Sequence, residues 1–118
     1  MMTHTLEHRV LVITMHDDPG IAMRAALLAQ ISDLVRGHKP ASVVIVLEQP
    51  APTQAALSVV LLAHHLCSHL GLVMFVATQS APVRRLLAAG ADTKDIGLVI
   101  HARADTAIAT ATALTTAA

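Results

Sequence analysis

The chain has 118 residues, 54% of them apolar, and its eight basic and eight acidic side chains cancel to a formal net charge of zero. That length suits one domain, residues 1–118, built around a single core. The balanced charge leaves no polybasic surface to neutralise nucleic-acid phosphates or anionic lipid, so neither is an expected partner.

Phe75 is the only aromatic residue, so the core must be aliphatic, and the lone Cys67 cannot form an internal disulfide. Met1 to Leu6 lacks the basic-then-apolar layout of a secretion signal, and a reducing cytoplasm is the expected compartment.

In chain order, Thr3 to Glu7 alternates and Val10 to Ile13 is apolar, a pattern that predicts a hairpin across His8-Arg9. Asp17-Asp18-Pro19-Gly20 is a helix start, because an Asp side chain caps free amides and Pro gives up none that matter. The helix that follows gathers Met23, Leu27, Leu28, Ile31, Leu34 and Val35 on one face and closes at Gly37. Ser42 to Leu47 is an unbroken apolar run, the signature of a strand buried on both faces, and Pro50 and Pro52 end it.

The alternation continues with a helix from Thr53 to Leu70, a strand from Leu72 to Val76 and a helix from Ser80 to Ala89 stopped by Gly90. A strand from Leu98 to Ile100 and a last helix follow, fraying in the Ala- and Thr-rich tail from Ala107 to Ala118. Strands separated by helix-length spacers imply parallel pairing. The predicted fold is α/β: a mixed, mostly parallel sheet of five strands that opens with a hairpin, with four helices. Ligands of such sheets sit beyond the carboxyl ends of the strands, here in the loops Met15 to Gly20, Glu48 to Thr53 and Ala77 to Ala81. The apolar helix at Leu57 to Leu66 gives way to His64, His65 and His69 well short of the roughly 20 residues of a membrane span.

Three patterns with chemical potential weigh less than their plain readings. Asp17, Asp18 and Glu48 could hold Mg²⁺, but no Lys follows a late strand to hold a phosphoryl group, and capping accounts for Asp18. His65 and His69 share a helix face, yet Cys67 projects about 200° away, so the three do not converge on one ion. No glycine-rich phosphate loop, nucleophile elbow or cofactor fingerprint is present. The expectation is no enzyme, no metal and no cofactor.

The helix after Thr53 carries more information. Val59, Val60, Ala63, Leu66, Cys67 and Leu70 suffice for a core face, and Leu57, Leu61 and Leu62 fall outside it with His64, His65, Ser68 and His69. Either neighbouring elements cover these leucines, or the apolar stripe docks a protein.

The stretch Ala56 to Leu66, followed by Gly71-Leu72-Val73-Met74 and by Ser80-Ala81-Pro82-Val83-Arg84-Arg85-Leu86-Leu87, resembles the second half of a STAS domain, nearest to bacterial anti-sigma-factor antagonists. The resemblance spans about Val10 to Ala111. It implies a regulatory, transcription-linked module that binds an anti-sigma kinase or a related regulator. In that family the helix after the third strand opens on a Ser or Thr whose phosphorylation releases the partner. Gapless alignment places Gln54 at the acceptor position; a one-residue gap would place Thr53 there, behind Pro52. Gly20 stands where the family's upstream loop is acidic, with Asp17 and Asp18 just before it.

Thr53, Gln54, Leu57, Ser58, Leu61 and His64 are therefore the candidate partner-binding residues. Thr53 is the candidate phosphoacceptor, against its plain role as a helix cap. The alternatives to binding without serine phospho-control are a phosphorylated antagonist switching on Thr53 and a small-ligand or metal sensor. A homodimer also stays open.

Overall fold

The computed structural model describes residues 2–16, 20–48, 54–90 and 97–117. β1 (Met2–Glu7) and β2 (Val10–Met15) form the predicted hairpin, antiparallel with Thr3 opposite Thr14 and Glu7 opposite Val10. His8 and Arg9 have φ of 53° and 65°. A two-residue turn needs this left-handed pair so that its twist matches that of the strands. Neither is glycine, so the hairpin is held in shape by pairing along its full length and not by turn preference.

α1 (Gly20–His38) runs one residue past the predicted stop at Gly37. Lys39 takes the left-handed position after it, with φ of 49°, and its N–H donates to Val35 O at 3.0 Å. Leu27, Ile31 and Val35 form the buried stripe, four residues apart; Met23, in phase with them, is 40% exposed, so burial starts one turn later than the wheel predicts.

β3 (Ser42–Leu47) is buried at every residue and lies at the centre of the sheet, whose order is β1-β2-β3-β4-β5. β2, β3, β4 (Val73–Ala77) and β5 (Val99–His101) are parallel to one another. α2 (Gln54–His69) ends where Gly71, with φ of 73°, lets Leu72 N–H reach Cys67 O at 2.8 Å and Gly71 N–H reach Ser68 O at 3.0 Å. This pair of bonds satisfies carbonyls that would otherwise be orphaned. α3 (Ala81–Gly90) is capped by Ser80, whose Oγ accepts from Val83 N–H at 3.3 Å.

α4 (Ala104–Ala117) is helical through most of the tail that the sequence assigns to fraying. Ala107 and Ala111 are fully buried against the sheet, and the Thr110 and Thr115 hydroxyls donate back to Thr106 O and Ala111 O, each at 2.9 Å. Small side chains let this helix approach closely, which gives the tail tertiary contacts that its composition does not announce.

The sheet divides the interior into two cores. One combines Leu11, Ile13, Val43, Ile45, Met74 and Val76 with α1, α2 and α3; the other combines Val10, Val44, Val46, Phe75 and Ala77 with α4. Among the described residues no helix is long and apolar enough to cross a membrane.

Candidate functional site

α2 lies beside both α1 and α3 and on top of the sheet, so three of its sides are covered. Leu57 and His64, expected on the outer side, are 7% and 2% exposed. The cause is α3. Its last residue, Gly90, comes so close that a Cβ there would lie 2.9 Å from Leu61 Cδ1. At 100° per residue Leu57 and His64 share the Leu61 flank, and Leu57 joins Val83 and Leu87 of α3 in one core. Two candidates that the apolar pattern assigns to the surface are thus interior residues.

The exposed strip of α2 is rotated from that flank toward α1. It begins at Gln54, the first residue of the helix, passes Ser58 and Leu62, and reaches His65 and His69. Leu62 is 45% exposed. Ser58, Leu61 and Leu62 line an open groove of about 540 Å³ with Arg24, Ala25 and Leu28 of α1. Ser58 and Leu61, half-buried, are the predicted residues that the fold brings together there. Gln54 is exposed at the end of α2, and Thr53, with its proposed acceptor role, lies outside the described residues, as do Asp17 and Asp18.

The carboxyl edge of the sheet holds a second concavity. About 450 Å³ opens between the ends of β3, β4 and β5, lined by Val46, Glu48, Ala77, Gln79, Arg103 and Asp105 among others. Arg103 grips Asp105 through Nε to Oδ1 at 3.1 Å and Nη2 to Oδ2 at 2.8 Å. The Thr106 backbone N–H, donating to Asp105 Oδ1 at 2.8 Å, and secondarily the Arg103 guanidinium hold the Asp105 carboxyl below its ordinary value. Arg84 is likewise committed, donating to Thr78 O at 2.8 Å.

Next to this cavity the hairpin places a group that the sequence does not reveal. Thr3 Oγ1 lies 2.8 Å from His16 Nε2, and His16 Nδ1 lies 3.1 Å from Glu48 Oε1. Thr3 and His16 are thirteen residues apart and Glu48 follows β3, so only the antiparallel register of β1 and the parallel register of β2 with β3 assemble them. Among the described residues no three or more His, Cys, Asp or Glu side chains are grouped to hold a metal ion.

The sequence matches no family model and no curated protein. The fold does have a counterpart: it is similar to a variant of RsbS from Moorella thermoacetica, with a TM-score of 0.78 and 12% identity over 98% of this chain and 97% of that one. RsbS is an anti-sigma-factor antagonist of the STAS type. The match runs along essentially the whole length of both chains, and the antiparallel opening strand, four parallel strands and four helices of this chain are those of the STAS fold.

Proposed function

We propose that the chain is a protein-interaction module of the anti-sigma-factor antagonist type, which binds a kinase-like anti-sigma factor or a related regulator in the cytoplasm without serine phospho-control at the start of α2. The observation that carries the reading is the groove between α1 and α2. Exposed Leu62 and half-buried Leu61 and Leu28 offer an apolar strip rimmed by Arg24 and Ser58, the composition of a docking surface. Gln54, at the gapless acceptor position, has no hydroxyl to phosphorylate.

The test uses a purified kinase-like anti-sigma regulator as the probe. Titration calorimetry with Leu62→Asp and Arg24→Glu should show affinity lowered by about tenfold or more, roughly 1.4 kcal/mol, with unchanged circular dichroism. Unaltered affinity in both variants would overturn the proposed surface. Incubation with that regulator and ATP should leave the intact mass unchanged, whereas a phosphoryl group mapped to Thr53 would establish the switched alternative.

A further inference from the structure

The hydrogen-bonded series Thr3–His16–Glu48 has the arrangement that activates a hydroxyl: a nucleophile within reach of a base, and the base oriented by a carboxylate. Glu48 faces His16 Nδ1, which favours the tautomer carrying its proton there. Nε2 is then left with a lone pair, and the Thr3 hydroxyl donates to it. The backbone fixes the three positions. Glu48 N–H donates to Met15 O at 3.1 Å, so the residues just past β2 and β3 are held side by side, while Thr3 pairs with Thr14 on the neighbouring strand.

We propose that Thr3 is an acyl-accepting nucleophile, with His16 as its general base and Glu48 as a positioning residue, and that its substrates are small uncharged esters. The choice of substrate follows from the surroundings of the exposed Thr3 hydroxyl: the Glu48 carboxylate stands on the far side of His16, and beyond it, toward β4 and β5, lies the cavity that Glu48 alone of the three lines. Its walls combine Val46, Leu47 and Ala77 with the carboxylates of Glu48 and Asp105, and Arg103 is already neutralised by Asp105. These carboxylates repel a phosphoryl donor, and a small uncharged ester is free to approach the exposed Thr3 from solvent.

In the reaction Thr3 Oγ1 bonds to the ester carbonyl carbon as its proton passes to His16 Nε2. The bond from that carbon to the leaving oxygen then breaks, His16 returns the proton to the leaving alcohol, and an ester remains on Thr3. Water activated by the same imidazole hydrolyses that ester and restores the hydroxyl. His16 and Glu48 are 36% and 51% exposed, so solvent screens the pair and turnover is slow.

The probe is 4-nitrophenyl acetate with the full chain, following nitrophenolate release and mapping the acetyl group by peptide fragmentation. The expected result is acetyl on Thr3, none at that position in Thr3→Val, recovery in Thr3→Ser, and acylation slowed by about 100-fold or more in His16→Ala. Glu48→Gln should slow acylation without moving the thermal midpoint, and Glu48→Asp should restore part of the rate. Acetyl groups only on other residues, no acetylation at all, or an unchanged rate at Thr3 in His16→Ala would each overturn the proposal.

Discussion

On one face of the sheet three helices cover the strands from β2 to β4, and the core there contains long side chains from both layers, Leu27, Ile31 and Val35 against Leu11, Ile13 and Ile45. On the other face a single helix, α4, packs through Ala107 and Ala111 over Val44, Val46 and Phe75. Its small contact residues permit close approach but give it little reach. Val12 and Thr14 of β2 are left half-buried and Thr3, Thr5 and Glu7 of β1 exposed. The crowded face therefore stores stability, while the thinly covered face leaves polar side chains at the carboxyl edge open to solvent, where they can react. The groove proposed for a protein partner belongs to the outer surface of the crowded layer, so binding and the proposed acyl chemistry occupy opposite sides of the sheet.

Truncation on the three-helix side should give the largest effect that separates the regions. Leu57→Ala removes a buried side chain wedged between α2 and α3 and should lower unfolding stability by about 2–5 kcal/mol, whereas Leu62→Ala, one turn further on and exposed, should change it by less than about 0.5 kcal/mol. Urea denaturation of both variants measures the contrast. Equal losses would mean that α3 does not cover the Leu57 flank.

A smaller effect of opposite sign is expected on the α4 side. His101, the last residue of β5, pairs with Ala77 of β4 and sits 6.0 Å from the Phe75 ring, and its Nε2 is buried without a hydrogen-bond partner. Such an atom costs about 1–3 kcal/mol, so His101→Phe should raise stability by about 1 kcal/mol and move the thermal midpoint upward. A lower midpoint would show that the imidazole nitrogen is satisfied in solution.

The smallest expected effect on stability at neutral pH concerns Cys67, fully buried on the three-helix side, whose thiol burial pushes up to about 12 from 9.0. A neutral thiol is favoured in the folded state, so this contribution is intact below pH 9.0 and declines as the pH rises from there toward about 12. Native protein at neutral pH should react with iodoacetamide only at the rate of its unfolding, and denatured protein at once. Rapid native labelling would place the C-terminal part of α2 in an opening motion.

Much of the architecture is legible in the order of residues because the relevant signals are local. The apolar run Ser42 to Leu47 is the central strand, residue for residue, since a strand buried on both faces can carry no polar alternation. Ser80 and Gly71 mark a helix start and a helix end through hydrogen bonds spanning only a few residues. The rotation of α2 is different in kind. A wheel shows that Leu57, Leu61 and His64 share a flank, but whether that flank meets water or α3 depends on Gly90, twenty-nine residues beyond Leu61, reaching van der Waals contact with it.

The sequence by itself thus determined the elements, their order and the aliphatic character of both cores, because periodicity and capping act within a few residues. Only the tertiary structure decided which leucines of α2 face solvent, and only strand register brought Thr3, His16 and Glu48 within hydrogen-bond distance. Register aligns residues far apart in the chain, and a shift of a single residue would turn Thr3 to the opposite face of the sheet.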